Sequence, residues 1–224
     1  MWVPDNVADW DGPDHHEVER FQSFRRHLRW GDTFLDVGTE HGWIAALIGR
    51  EFVGPENMVL CEPTPEFWTN IRRTWECNDL KPPLACWPGF VGRNNGFSSY
   101  RLERAWPIES NRVTETPAMP YASLLDDEAR PETTIDEIAG LLAPPIRALN
   151  IDVEGAELLV LKGAVCTLVN EDEGPRNVWV SIHPEMMKAY GHAPELLHGF
   201  MAGCGWKGEH LATDHEEHWH YTRR

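Results

Sequence analysis

The chain has 224 residues, 42% of them apolar, which suits one folded α/β domain with a sizeable core and excludes a disordered chain. Twenty basic against 36 acidic residues give a net charge of −16, which disfavours long nucleic acids as partners, because affinity there comes largely from phosphate neutralisation. No apolar run approaches the roughly 20 residues of a membrane span, the polar start Met1-Trp2-Val3-Pro4-Asp5 is no secretion signal, and five widely spaced cysteines without a C-x-x-C pair read as reduced thiols, so a cytoplasmic location is expected.

Residues 1–14, rich in Pro, Asp and Gly, read as an arm. A helix is predicted over about 15–30, with Val18, Phe21, Phe24 and Leu28 on one apolar stripe. Residues 1–30 are thus expected to form an N-terminal arm and helix ahead of a single domain over 31–224. Residues 33–38 read as a buried parallel strand, 42–52 as a helix with Ile44, Leu47 and Ile48 on one face, and 58–62 as a second strand. Pro65 opens a helix bearing Phe67, Ile71 and Trp75. A third strand is predicted over 84–87 and an antiparallel fourth over 96–102. Residues 103–130 form an irregular excursion of the kind that serves as a substrate loop or lid. Thr134 starts a capped helix. Then come a strand over 146–153, one helix over about 156–168, a strand over 177–183, a helix over 194–201, and a terminal antiparallel pair, 206–211 with 218–222. This alternation is the grammar of a doubly wound, mostly parallel sheet.

In such sheets ligands bind outside the carboxyl ends of the strands, where strand order reverses. Four predicted strands end there in polar or special residues: Asp36-Val37-Gly38, Glu62-Pro63, Asp152-Val153-Glu154-Gly155 and His183-Pro184-Glu185. Gly38 allows close backbone approach to a ligand, and Gly42 sits where a helix begins. The G-x-x-x-G spacing lacks the dinucleotide fingerprint, which argues against a nicotinamide-dependent oxidoreductase. Glu62, ending the second strand, can accept hydrogen bonds from both ribose hydroxyls of an adenosine.

The blocks Phe34-Leu35-Asp36-Val37-Gly38-Thr39-Glu40-His41-Gly42, Leu60-Cys61-Glu62-Pro63, Leu149-Asn150-Ile151-Asp152-Val153-Glu154-Gly155-Ala156-Glu157, Val160-Leu161-Lys162-Gly163-Ala164 and Ile182-His183-Pro184 together resemble the FkbM family of S-adenosylmethionine-dependent methyltransferases, over about residues 31–221. The resemblance implies the class I, Rossmann-like methyltransferase fold: a doubly wound, mostly parallel seven-stranded sheet with an antiparallel last strand. It implies S-adenosyl-L-methionine as cofactor and O-methylation, here of a hydroxyl on a small molecule or sugar. It carries Asp36, Gly38, Gly42 and Glu62 to the cofactor, with Thr39 and Glu40 in the intervening turn, Trp87 where the adenine packs, and Asp152 and Glu154 on the family's acidic strand end. His183 and Asp152 are the candidate general bases, with Glu154 facing the site; an unperturbed histidine titrates near neutrality. Glu157, in a first helical turn, is read as favouring the helix dipole.

The chain departs from the family at Thr39-Glu40, usually Ala-Asn, at Asn150, usually Lys, and at Ser181, often Glu. A divalent metal is not favoured and no metal ligand is assigned: His215, Glu216, Glu217, His218 and His220 read as an acidic surface strand. The alternative is a non-catalytic nucleotide-binding protein on the same fold. Nothing in the sequence speaks to oligomeric state.

Overall fold

The computed structural model describes residues 15–93, 106, 132–213 and 215–224; the predicted strand at 96–102 and all of the 103–130 excursion but Trp106 lie outside these. In chain order the elements are α1 (His15–His27), β1 (Thr33–Val37), α2 (Trp43–Ile48), β2 (Met58–Cys61), α3 (Pro65–Cys77), β3 (Ala85–Trp87), β4 (Phe90–Val91), β5 (Glu132–Thr133), α4 (Ile135–Leu141), β6 (Ile146–Ile151), α5 (Glu157–Lys162), α6 (Val165–Val169), β7 (Asn177–Ile182), α7 (Pro184–Met187), α8 (Pro194–Gly203), β8 (Trp206–Thr213) and β9 (Glu217–Arg223). Seven strands form one sheet in the order β3-β2-β1-β6-β7-β9-β8, while β4 and β5 pair separately.

The first five strands of that order are parallel, and β9 runs antiparallel between β7 and β8. Strand order therefore reverses between β1 and β6. Register decides what meets there: Val37 is level with both Cys61 and Ile151, so the next residues, Gly38, Glu62 and Asp152, leave the sheet side by side.

β1, β2 and β7 are buried along their whole length, as expected of strands covered on both faces. Side chains alternate between two cores. Leu35, Val37, Val59, Cys61, Leu149 and Ile151 face one, with α5 and α8. Phe34, Met58, Leu60, Ala148 and Trp179 face the other, with α1, α2 and α3. Asp36 and Asn150 share the parity of Phe34 and Ala148, so both point to the side on which α1 packs. Phe24 and Leu28 of α1 are buried in that core. No helix among the described residues is long and apolar enough to cross a membrane.

Three expectations need correction. The helix over 42–52 remains α-helical only to Ile48 and ends in a wider turn, Gly49–Val53, in which the Gly54 amide bonds the Gly49 carbonyl. The helix over 156–168 is two helices, α5 and α6. Gly163 breaks it: its carbonyl accepts the Asp136 amide, and a Cβ there would lie 1.9 Å from the Gly92 carbonyl oxygen. Asp136 then caps the restart, its carboxylate accepting the Cys166 and Thr167 amides at 3.0 and 2.7 Å. Loss of a capping carboxylate costs about 0.5–2 kcal/mol. Asp136→Ala should therefore lower the unfolding free energy by an amount in that range, read as a lower urea midpoint with the m-value unchanged; an unchanged midpoint would show that the cap carries no weight. Finally, β9 is an inner strand: Glu216, just before it, and His218 and His220 on it are buried, so the tail is no solvated surface strand.

Candidate functional site

The chain leaves β1 through a left-handed turn at Gly38, φ 87°, pressed against β6: a Cβ there would stand 1.7 Å from the Asp152 carbonyl oxygen. The Gly38 and Thr39 amides both reach the Cys61 carbonyl, and the Asp152 amide reaches that of Val37. Thr39 closes the turn by donating its hydroxyl to the Asp36 carbonyl. Gly42, φ 79°, lets α2 begin against the backbone of Ile71, whose Cα would be 3.1 Å from an added Cβ.

Glu62 is 2% exposed. Its Oε2 accepts the Glu40 amide at 2.9 Å and its Oε1 the Thr64 amide at 2.7 Å. Burial pushes its pKa up to about 7 against the pull of those two amides. Glu40 itself has φ 50° and a largely exposed side chain, so its contribution here is its backbone N–H. Trp87 meets the site through its backbone, whose carbonyl accepts the Glu62 amide; its indole is buried in the core and donates to the Phe90 carbonyl.

Beneath the strand ends runs a buried polar chain. Asn150 donates to Asp36 at 2.7 Å, and Arg20 of α1 donates to Asn150 at 2.7 Å and pairs with Asp152 at 3.5 Å. Burial raises the Asp36 pKa, opposed by its bonds to Asn150 and Thr39 and by the charge of Arg20. Asp36 is thus committed to holding β6 and α1. Arg20 was not among the residues singled out by sequence, yet a signal existed: it lies four residues before Phe24 and eight before Leu28, on the buried stripe. It brings a cation to the buried Asn150 and to Asp152.

β7 ends at His183, whose ring is fixed on both sides. Nδ1 lies 2.7 Å from Oε1 of Glu157, which also accepts the Gly155 amide at 2.8 Å. Nε2 lies 3.0 Å from Glu216, 3.6 Å from Glu154 and 3.8 Å from Asp152. Burial lowers the imidazole pKa, but the bonds to Glu157 and Glu216 and the charge of Asp152 outweigh it and raise the value to about 11. The surrounding carboxylates thus displace the ring's titration upward from the expected neutrality. Glu157 is 0% exposed and is a buried partner of His183 rather than a helix-dipole residue. Burial and Glu216 raise the Asp152 pKa; burial opposes but the bond to His183 and the charge of His218 dominate in lowering that of Glu216. Glu154, φ 54° and 38% exposed, is the most open of these carboxylates. Ser181 bonds His218 at 3.2 Å, and Glu216 places a carboxylate beside His183.

Every sequence-predicted site residue thus lies at one sheet edge, with Asp36 and the Trp87 indole turned inward. Glu216 was missed as a site residue because nothing local ties position 216 to position 183.

No protein-family model matches the chain, and no curated protein matches it. Among solved structures it is similar to the methyltransferase FkbM of Methylobacillus flagellatus KT, with TM-score 0.53 and 17% identity over 88% of this chain; it spans only 45% of that one. It is similar also to magnesium protoporphyrin IX methyltransferase of Synechocystis PCC 6803, solved with bound S-adenosylmethionine (TM-score 0.51, 9% identity, 93% of this chain and 77% of that one). A third is an rRNA methylase of Streptococcus thermophilus (TM-score 0.51, 7% identity, 92% of this chain and 95% of that one). The fold is that of the class I methyltransferases, with the antiparallel β9 inserted between β7 and β8.

Proposed function

We propose that the chain is an S-adenosylmethionine-dependent methyltransferase acting on a hydroxyl of a small molecule or sugar. One observation carries this: Gly38, Glu62 and Asp152 converge where strand order reverses, the place at which open α/β sheets bind ligands. The residues fit an adenosine. Gly38 has no side chain to block approach. Each oxygen of Glu62 takes one backbone amide and the rotatable Thr64 hydroxyl also reaches the carboxylate; of about four lone-pair sites, two serve ribose hydroxyls once the Thr64 hydroxyl turns away. Asp152 and Glu154 bring negative charge to the same edge, which suits a positively charged ligand.

Bound in this cradle, S-adenosylmethionine supplies an electrophilic methyl group on a positively charged sulfur. The chain's own task is positioning, worth as much as ~7–11 kcal/mol when reacting atoms are well aligned. Glu62 and the Gly38 turn hold one partner; the Asp152–Glu154–His183 face orients the other. His183, clamped by Glu157, keeps its proton on Nδ1, and the carboxylates of Asp152 and Glu154 are the acceptors in reach of a hydroxyl proton. Such proton acceptance adds about 10²–10⁴-fold. The charge of −16 favours a small or cationic acceptor over an RNA, although an rRNA methylase shares the fold.

Calorimetric titration with S-adenosylmethionine and S-adenosylhomocysteine tests the first half; transfer of a tritiated methyl group to a panel of hydroxylated acceptors tests the second. Saturable binding of both and label on a hydroxyl compound are expected. Failure of either nucleotide to bind ends the reading, and binding without transfer to any acceptor supports the non-catalytic alternative.

A further inference from the structure

We propose that Asp152, His183 and Glu216 bind one divalent first-row transition ion, of the Zn²⁺ or Mn²⁺ kind, on the acceptor side of the site. One ligand atom from each residue lies within 4.8 Å of the others. The His183 Nε2 contacts, 3.0 Å to Glu216 and 3.8 Å to Asp152, bracket the spacing of donors sharing an ion: ligands 2.0–2.2 Å from a metal at tetrahedral angles stand roughly 3–4 Å apart.

Support behind the donors points the same way. A metal-binding histidine characteristically gives its other ring N–H to a carboxylate, which fixes the tautomer and raises ligand basicity. Here Nδ1 is held by Glu157, wholly buried and itself anchored by the Gly155 amide, so Nε2 is the nitrogen presented to Asp152 and Glu216. Glu216 is backed by His218, 3.6 Å from its Oε1, and His218 is in turn oriented by Ser181.

A separate observation concerns charge. Asp152, Glu154, Glu157 and Glu216 surround one imidazole, and Arg20 pairs with Asp152. The second oxygen of Glu157, Oε2, is buried without a hydrogen-bond partner among the described residues. Clustered carboxylates taken out of water need compensating positive charge, and a dication bound at Nε2 supplies it as the ring gives up its second proton to solvent. The nitrogen donor selects a borderline transition ion over Mg²⁺ or Ca²⁺, which take oxygen ligands. Three protein donors leave at least one coordination position open toward the acceptor.

Metal binding does not depend on the methyltransferase reading, and the test keeps the two apart. Chelator-stripped protein is titrated with Zn²⁺ by calorimetry and with Mn²⁺ by loss of the free-ion EPR signal, with S-adenosylmethionine titrated in a separate arm. A one-to-one complex is expected, weakened at least 100-fold in Asp152→Asn and in Glu216→Gln, and about 10–100-fold in Glu157→Gln, which only orients the ring. Should Asp152→Asn fail to fold, Glu216→Gln carries the test. Absence of a one-to-one complex with either ion, or a complex that Glu216→Gln leaves intact, overturns the proposal. Failure of S-adenosylmethionine to bind a chain that still takes the ion sinks only the cofactor reading.

Discussion

Glu62→Gln is expected to weaken S-adenosylmethionine binding by about 10²–10⁴-fold while leaving the protein folded. A hydrogen bond to a charged group contributes about 1.5–3 kcal/mol, and two ribose hydroxyls would each lose one; at 1.4 kcal/mol per factor of ten the sum spans that range. The fold survives because the carboxylate is no asset to it. Burial that raises the Glu62 pKa from 4.5 to about 7 means that the charged form is disfavoured in the folded chain. The sign follows from linkage: a group whose folded pKa is raised contributes stability that is fully present below its unfolded pKa and is lost as pH rises through the folded one. For Glu62 the window is about 4.5 to 7, and the loss by pH 8 is on the order of 3 kcal/mol at 1.36 kcal/mol per unit. The glutamine variant lacks this pH-dependent loss, offset in part because its NH₂ cannot accept from one of the two backbone amides. Calorimetry and urea melts at pH 5.5 and 8 read both effects.

The same residue predicts how affinity varies with pH. Ribose hydroxyls donate to Glu62 only when it is ionised. Affinity in the wild type should therefore be flat above about pH 7.5 and fall toward tenfold per unit below pH 7, where the free protein holds the proton. The glutamine variant should show no such slope. An affinity in wild type that is level from pH 8 to pH 5.5 would mean that Glu62 does not meet the ligand.

What the sequence made legible was what local pattern determines. β1, β2, β6 and β7 are short apolar runs because both faces are covered; β2, β6 and β7 are each followed by a polar residue, Glu62, Asp152 and His183, and β1 by the Gly38 turn. The Thr134 cap was readable for the same reason: its hydroxyl serves an amide three residues away. Illegible were the features set by strand order. Nothing in the run from His215 to His220 says that β9 slides between β7 and β8, so burial of His218 and His220 and the approach of Glu216 to His183 could not be read from it. Arg20 reaches Asn150 across 130 positions, and the break at Gly163 depends on Gly92 and Asp136, both distant in sequence. The group at Gly38 and Glu62 is set largely by local sequence and was legible; the group around His183 is assembled from separate segments and was legible only in part.

Gly38→Ala should be the most damaging glycine-to-alanine change among the described residues, and a second glycine makes the reason measurable. Gly31 has φ 92°, almost the 87° of Gly38, but an added Cβ at Gly31 meets nothing within 4 Å. Gly31→Ala therefore reports the backbone penalty alone, about 1–2 kcal/mol for a left-handed residue with a Cβ. At Gly38 the same methyl lands 1.7 Å from the Asp152 carbonyl oxygen and 3.3 Å from Val153. The oxygen belongs to backbone at the end of β6, so no rotamer change relieves the overlap; β1 and β6 must part where they are paired through Val37 and Ile151. Overpacking of this kind costs typically 1–3 kcal/mol more, so Gly38→Ala should lose about 2–5 kcal/mol in urea unfolding against 1–2 for Gly31→Ala. Separation of the strands also displaces the Glu40 amide from Glu62, so S-adenosylmethionine binding should disappear in Gly38→Ala and remain in Gly31→Ala. Equal behaviour of the two variants in both measurements would mean that β1 and β6 do not press together at Gly38, and the crevice on which cofactor recognition rests would not have the shape described.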